Sequence, residues 1–157
     1  MATLQVKVKH DGWNVIKKVV GRFKSFNVDV DFEGSKEGVP MAQIVKWLEE
    51  GHINGGMYAG TFTPPRPFIN SIFMPRAKKL IDAKYVPLLG NNLFKGIAIN
   101  SSVHAELVKE LEDLMKQVID EYDSVPNSEL TSKLKGFNNP LVETGGLKNS
   151  VKARARR

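Results

Sequence analysis

Short segments in which apolar and polar residues alternate lie near both ends of the chain and predict β-strands. Residues 3–9 and 27–33 alternate in this way, and so do the last eight residues, SVKARARR. A period of two places one set of side chains on each face of a strand. We therefore predict three strands, each with one apolar and one polar face, with a turn at residues 34–38 after the second. In the last strand the inward set is Val151, Ala153 and Ala155.

Apolar residues at three- and four-residue spacing predict three amphipathic helices between these strands. The first follows Asp11, a residue suited to cap a helix. The second begins after Pro40 and ends at Gly51, and the third runs from about Ser102 to Tyr122. Their apolar stripes are, in order, Trp13, Ile16, Val19, Val20 and Phe23; Ile44, Val45, Trp47 and Leu48; and Val103, Leu107, Leu111, Leu114, Met115, Val118, Ile119 and Tyr122.

The stretches between these helices lack a clear period. Residues 52–68 are rich in Gly, Pro and Thr and predict a long loop, and long loops in compact domains usually serve a function or cover a partner. Residues 73–81 have helical spacing, whereas Pro87 and Gly90 are expected to interrupt the helix that follows. A last short helix is expected near residues 144–149.

Strands near both ends with helices between them are typical of an α+β fold. The 157 residues suit a single domain, residues 1–157, with a small, mostly antiparallel sheet packed against two or three helices and a long Gly/Pro-rich loop. The first residues lack the basic-then-apolar order of a secretory signal, and no apolar run approaches the roughly 20 residues that span a membrane. We therefore expect a soluble protein without a membrane partner.

The formal net charge of +6 is distributed in blocks. The beginning and the end of the chain are basic, whereas residues 106–123 are acidic. Such blocks attract nucleic acid, complement the opposite block of a neighbouring copy, or form a solvated face. On the last strand, basic residues at alternate positions repeat positive charge at about 6–7 Å, near the phosphate repeat of nucleic acid. No aromatic residue lies among them, so contact with nucleic acid is expected to be independent of sequence. A solvent-exposed strand face explains the same pattern. An arm that pairs with the sheet edge of a neighbouring copy explains it as well.

Residues suited to catalysis or metal binding are not clustered in the sequence. There is no cysteine, and His10, His52 and His104 are far apart. Asp29 and Asp31 share one face of a predicted strand, a geometry suited to a divalent cation, but alternation alone also places them there. No nucleophile elbow or phosphate-binding loop is present. We expect no enzyme, no cofactor and no metal. A hydrolase, the most distant alternative, would need a pocket in which a histidine meets carboxylates.

The segment PPRPF at residues 64–68 has two interpretations. It has the composition of a polyproline-II ligand for a binding module. It is also followed at once by apolar residues, which favours an extended segment that enters the core. In that second interpretation Arg66, between two prolines, is fixed in direction and available to a bidentate acceptor on a partner.

Two stretches of the sequence, through their motifs, order and spacing, resemble the neck, tail-completion or virion-morphogenesis (head–tail joining) proteins of tailed bacteriophages. The first is IVKWLEEG (44–51) with a glycine-rich loop and PPRPFI (64–69), similar to the family's helix that ends in a Glu-Gly pair and a loop that closes on Pro-Arg-Pro-Phe. The second is PNSELTSKLKGFNNPLVETGGLKNSV (126–151), which resembles the family's Pro-Asn-Ser, Lys-Gly and Pro-Leu-Val-acidic-Thr-Gly signature. The chain departs from the family at His52, where a threonine or another small residue often follows the Glu-Gly pair.

The resemblance implies a structural virion protein, assembled in the host cytoplasm, that forms a ring subunit at the head–tail junction (neck, tail terminator or tail completion) and joins capsid to tail. The implied partners are other copies of the chain in a sixfold or twelvefold homo-oligomeric ring, other neck, connector and tail-tube proteins, and packaged DNA through non-specific contact. Thr144 is expected to cap the last short helix. The alternative is a sequence-independent nucleic-acid-binding protein. We predict protein contacts at His52, Tyr58, Arg66, Phe68, Thr144, Lys152, Arg154 and Arg156.

Overall fold

The computed structural model describes residues 27–56, 59–95, 101–129, 132–133, 136, 138–142 and 145–156, and of Asn27, Leu93, Phe94 and Arg156 it describes the backbone alone. The predicted strand at residues 3–9 and the predicted helix after Asp11 lie outside the described residues.

The described part of the chain combines helices with three small antiparallel sheets of two strands each. The strands pair as β1 with β6, β2 with β3, and β4 with β5. This is the α+β architecture that the sequence predicts. The strands are β1 (Asn27–Phe32), β2 (Ser35–Lys36), β3 (Val39–Pro40), β4 (His52–Ile53), β5 (Phe62–Thr63) and β6 (Val151–Arg156). The helices are α1 (Met41–Glu50), α2 (Met74–Leu80), α3 (Val86–Phe94), α4 (Ser101–Glu121) and α5 (Gly146–Ser150).

The β1–β6 ribbon joins the second and the last of the predicted strands, and its register separates an apolar from a charged face. Phe32 lies opposite Val151, and Val30 lies opposite Ala153, on the side that packs against α4. The other face carries the charged pairs, because side chains alternate along each strand. Ala155, predicted to point inward, is exposed. It lies near the end of β6.

Helix α4 forms the centre of the core, as its apolar stripe predicts. Tyr122 follows the last helical residue and is also buried. The buried residues of this helix face the inner side of the ribbon and the helices of residues 69–94. They are Leu107, Leu111, Met115, Val118 and Ile119.

Residues 69–94 form one continuous helical run, so the interruption expected at Pro87 and Gly90 is absent. The run alternates π-helical segments, Ile69–Phe73 and Ile81–Tyr85, with α2 and α3. A proline inside a helix cannot donate its backbone bond and crowds the carbonyl of the preceding turn. Here Pro75 and Pro87 each follow a π segment, whose wider turn accommodates that loss.

Two predictions for the segment after β3 need correction. Trp47 of α1 was assigned to the buried side, but it is 38% exposed, and Met41 is buried instead. Residues 52–68 were predicted to be a loop, but β4 and β5 pair as a hairpin, with His52 opposite Thr63 and Ile53 opposite Phe62. These strands are too short for an alternating pattern to be recognised.

A single side chain, Asn139, holds the end of α4 against the segment that leads to α5. Its Nδ2 donates to the carbonyl oxygens of Ile119 at 3.1 Å and Asp120 at 2.7 Å. Its Oδ1 accepts from the backbone N–H groups of Leu141 at 2.8 Å and Val142 at 3.1 Å. The two bonds from Nδ2 satisfy carbonyl groups that a helix end otherwise leaves without partners, and the two bonds to Oδ1 fix the segment at residues 139–142.

Helix α5 lies close to where the sequence predicts it. Leu147 is buried and anchors it, as expected. The residue before the helix is Gly145, with a left-handed φ of 76° and no side-chain cap. A left-handed conformation is strained for any residue with a Cβ, and this is why glycine occurs here. Thr144, predicted to cap the helix, lies outside the described residues.

Candidate protein-interaction surface

The β4–β5 hairpin exposes large apolar side chains next to the end of α1. Ile53 and Phe62, directly opposite each other, are 74% and 63% exposed. Trp47 stacks on His52, with ring centroids 5.5 Å apart and an angle of 27° between the planes. Single exposed apolar residues are common, but neighbouring ones on a protruding element mark interaction sites. We call Trp47, His52, Ile53 and Phe62 the apolar hairpin surface.

Hydrogen bonds across the hairpin fix its shape. The Asn54 backbone N–H donates to the Thr61 carbonyl at 2.8 Å, and Asn54 Nδ2 donates to Thr61 Oγ1 at 2.8 Å. The hydroxyl of Thr63 donates to Asn54 Oδ1 at 3.1 Å. At the base, Gly51 has a φ of 74°, and a Cβ there would lie 2.9 Å from the Thr63 carbonyl oxygen. Only glycine allows this close approach, so the Glu-Gly pair sets the angle at which the hairpin leaves α1.

The proline-rich segment attaches the hairpin to α1. The Arg66 backbone N–H donates to the Leu48 carbonyl at 2.6 Å. The Glu49 carboxylate accepts the Ile69 backbone N–H at 2.6 Å and Asn70 Nδ2 at 3.0 Å. The two halves of the first resembling stretch therefore meet in space. Glu49 was not singled out from the sequence, because its partners lie 20 residues further along the chain.

Phe68 was predicted to contact a partner, but it is a core residue. It is fully buried and packs edge-to-face against Phe32 and Tyr122, with ring centroids 6.3 and 6.4 Å apart. No surface of its ring is available to another protein in this arrangement. Its role is to anchor the proline-rich segment.

Arg66 is also buried, at 9% exposure, whereas the sequence suggested a side chain that points to a partner. Its Nε and the Tyr122 hydroxyl are buried, and neither has a hydrogen-bond partner within the described part of the chain. Burial lowers the pKa of Arg66, an effect that nearby Tyr122 partly opposes, and burial is also the main cause that raises the pKa of Tyr122. His52 Nδ1 is a third buried atom without a partner among the described residues. Buried polar atoms without a hydrogen-bond partner are rare in native proteins.

The basic residues of β6 face acidic residues of β1. Lys152 lies opposite Asp31, and Arg154 lies opposite Asp29 and forms an ion pair with Glu33. Directly opposed charges of unlike sign attract each other across a ribbon. The backbone of Arg156 pairs with Asn27. The ribbon therefore presents mixed charges in place of the positive stripe that nucleic-acid binding requires.

The acidic face of α4 is largely paired within the chain. Lys84 binds both Glu106 and Glu110, and Lys116 binds Glu112 at 2.6 Å. The side-chain bonds from these lysines are the main cause that lowers the pKa values of Glu110 and Glu112. Two further pairs, Arg76 with Glu121 at 2.6 Å and Lys148 with Asp120 at 2.5 Å, lie toward the end of the helix. These bonds compete with any contact between this face and a basic neighbour.

The remaining residues singled out from the sequence are His104, the pair Asp29 and Asp31, and two residues that the structure does not describe. Tyr58 and Thr144 lie outside the described residues. His104 lines an apolar groove of about 560 Å³, and the described residues that line this groove include no Asp or Glu. Among the described residues, no group of three His, Asp or Glu is placed to hold a metal ion. Asp29 and Asp31 therefore belong to no such group within the described part of the chain.

Comparisons with protein-family models, curated proteins and solved structures found no match to this chain. The likeness to the phage family therefore rests on the two motif stretches. None of the helices in the described residues combines the length and the apolar character needed to cross a bilayer.

Proposed function

We propose that this protein is a structural virion protein of a tailed bacteriophage and forms a ring subunit at the head–tail junction, as a neck or tail terminator/completion protein that joins capsid to tail. The motif resemblance suggests the family. The single observation that supports an assembly role most strongly is the apolar hairpin surface. It combines exposure, aromatic character and a fixed shape on neighbouring residues of α1 and the hairpin.

The composition of this surface suits the centre of a protein interface. Tryptophan is enriched among the residues that dominate binding energy, and full burial of an Ile or Phe side chain contributes about 1.5–3 kcal/mol. The cross-hairpin bonds of Asn54 hold the strands before any partner arrives. A preorganised surface loses less conformational entropy on binding.

The intramolecular pairing of charges favours contacts that are mainly apolar. Because the acidic residues of α4 and the basic residues of β6 already have opposite charges beside them, they contribute less to attraction between copies. A ring forms when two different surfaces of each copy meet around a closed rotation axis. We therefore expect self-association that changes little between low and physiological salt, because screening acts on exposed charges.

Sedimentation velocity on the full chain tests the assembly role. The wild type is expected to form a discrete oligomer, and the double variant Ile53→Lys, Phe62→Lys is expected to remain a monomer. The matched control is Val86→Lys, since Val86 is also apolar and 53% exposed but lies on the helical run. Assembly in the hairpin variant that equals assembly in the control would refute the role of the hairpin.

Cryo-electron microscopy of purified virions, with antibody labelling of this chain, tests the location. Density at the head–tail junction would support the proposal and would show whether the ring is sixfold or twelvefold. Absence from the particle would refute it. The nucleic-acid alternative predicts DNA binding by the isolated chain whose log affinity falls steeply with log salt, and a binding titration at several salt concentrations measures that slope.

A further inference from the structure

Strand β1 has an outer edge that no described strand covers. The Glu33 backbone N–H donates to the Ser150 carbonyl at 2.8 Å, so these opposed residues form a hydrogen-bonded pair of the antiparallel ladder. Hydrogen-bonded pairs recur at every second position, and the backbone groups of the intervening residues point outward. Val28 and Val30 are such residues, because Asp29 and Asp31 occupy the bonded positions. Within the described part of the chain, β6 alone pairs with β1.

The opposite edge of the ribbon is blocked. The Ala153 backbone N–H points away from β1 and donates to Glu112 Oε2 at 3.0 Å. The same carboxylate binds Lys116 at 2.6 Å through its other oxygen. A side chain that occupies an edge amide prevents another strand from pairing there. Among the described residues, the edge of β6 is thus closed and the edge of β1 is left open.

The open edge borders the apolar groove of about 560 Å³. The groove lies between β1, the helical run and α4. A strand added beside β1 would place every second side chain over this floor. The apolar lining includes Val28, Val30, Ala77, Ile81, Leu89 and Leu107.

We propose that the β1 edge and this groove accept residues 3–9 of a neighbouring copy as a third strand. In this segment Leu4, Val6 and Val8 alternate with polar residues and match the apolar floor. Lys7 and Lys9 fall on the other face, where β1 presents acidic side chains. Pattern and charge therefore both suit the site.

The donor and the acceptor are different surfaces of one chain, which is the condition for a closed ring. Residues 10–26 separate the segment from β1, and when extended they reach about 55 Å, which is enough to span to an adjacent subunit. This inference rests on the proposed function, because it identifies a second contact between the same ring subunits. Occupation of the groove by the chain's own segment is the competing outcome of the test.

Complementation between two full-length variants tests the exchange. The donor variant carries Val6→Asp and Val8→Asp, and the acceptor variant carries Ile81→Glu in the groove. The donor variant is expected to associate roughly 100-fold more weakly than the wild type and the acceptor variant roughly tenfold more weakly, because each lost apolar side chain contributes about tenfold. An equimolar mixture is expected to form a heterodimer, since one intact donor then meets one intact acceptor. Absence of that heterodimer, with both variants folded by circular dichroism, would overturn the proposal. Gln5→Asp, which adds one negative charge on the polar face and keeps both valines, is the donor control.

Disulfide trapping keeps the test decisive if Ile81→Glu does not fold. The chain has no cysteine, so introduced thiols report a single contact. After mild oxidation, chains with Val6→Cys are expected to cross-link to chains with Val28→Cys at least tenfold more than to chains with Ala42→Cys on the exposed side of α1. A doubly substituted chain, Val6→Cys with Val28→Cys, that closes mainly within itself would refute exchange between copies. If virions carry the protein at the head–tail junction while no exchange is trapped, this inference fails and the proposed function stands.

Discussion

Replacement of Asn139 by aspartate exchanges the side-chain NH2 group for an oxygen atom. This side chain lies at the junction between α4 and the last part of the chain. The carboxylate keeps an oxygen that accepts the backbone N–H groups of Leu141 and Val142. It cannot donate to the carbonyl oxygens of Ile119 and Asp120, which Nδ2 contacts at 3.1 and 2.7 Å. Asn139→Asp also brings a negative charge to the negative end of the helix dipole.

The expected loss of stability follows from these contacts. Two amide hydrogen bonds contribute about 0.5–1.5 kcal/mol each. An unfavourable charge in the last turn of a helix costs about 0.3–1 kcal/mol. The free energy of unfolding should therefore fall by roughly 3 kcal/mol at pH 7, which corresponds to a decrease in Tm of about 6–12 °C for a chain of this length.

Urea unfolding and thermal denaturation, followed by circular dichroism, measure the change. The control is Asn138→Asp, because the Oδ1 of Asn138 accepts bonds from the Asn127 N–H at 3.0 Å and the Ser132 hydroxyl at 2.9 Å, and aspartate retains both. That control should lie within about 0.5 kcal/mol of the wild type.

A series of unfolding measurements at different pH values distinguishes the loss of the side-chain donor from a general destabilising effect of the substitution. The carbonyl oxygens favour the protonated acid in the folded Asn139→Asp protein and raise its pKa above the unfolded value of about 3.9. The deficit relative to the wild type should therefore be complete above the folded pKa and disappear as the pH falls below about 3.9, because the protonated acid again offers a donor. A deficit that is equal at pH 7 and below pH 4, or one matched by Asn138→Asp, would refute the reasoning.

Two further predictions follow from single residues. Tyr85 is buried, and its hydroxyl donates to Glu110 at 2.9 Å. Burial first and this bond second raise the pKa of Tyr85 to about 12, so tyrosinate absorbance should show a late ionisation that is lost in Tyr85→Phe. The contribution of Tyr85 to stability should be complete below pH 10 and be lost as the pH rises through about 12, and Glu110→Gln should lower this pKa. Gly51→Ala should lower the free energy of unfolding in urea by about 1–3 kcal/mol, because residue 51 has a left-handed φ and its Cβ would contact Thr63. Gly55→Ala is the control, because the space around Gly55 is open, and it should change the free energy of unfolding by under about 0.5 kcal/mol.

The sequence predicts those helices and strands that are long enough for the apolar pattern to repeat several times. Helix α4 and the strands β1 and β6 lie where their periods place them. The helical run at residues 69–94 was missed beyond Ile81, because proline carries a strong penalty in a regular helix and no sequence pattern indicates that a π segment will absorb it. Trp47 lies at the margin of the α1 stripe, and only the packed structure shows that Met41, Val45 and Leu48 form its inner side.

The candidate surface was harder to predict than the fold. The residues assigned to it included Arg66 and Phe68, which the structure buries. The residues that are most exposed, Ile53 and Phe62, look in the sequence like ordinary apolar positions of a loop. Their exposure depends on the hairpin pairing and on the position of the hairpin relative to α1, and both arise from contacts between residues distant in the sequence. The partners of the charged blocks were missed for the same reason.

The residues that carry the motif resemblance mostly stabilise the fold, whereas the exposed residues lie beside them. Gly51, Arg66 and Phe68 set the base of the hairpin, and Asn139 secures the end of α4. A protein that must fit different neighbours gains from this separation, because changes at Ile53 or Phe62 alter the contact surface without loss of a buried contact in the scaffold. Substitutions at the motif residues should therefore reduce stability, and substitutions at Ile53 and Phe62 should reduce assembly while Tm stays near the wild-type value.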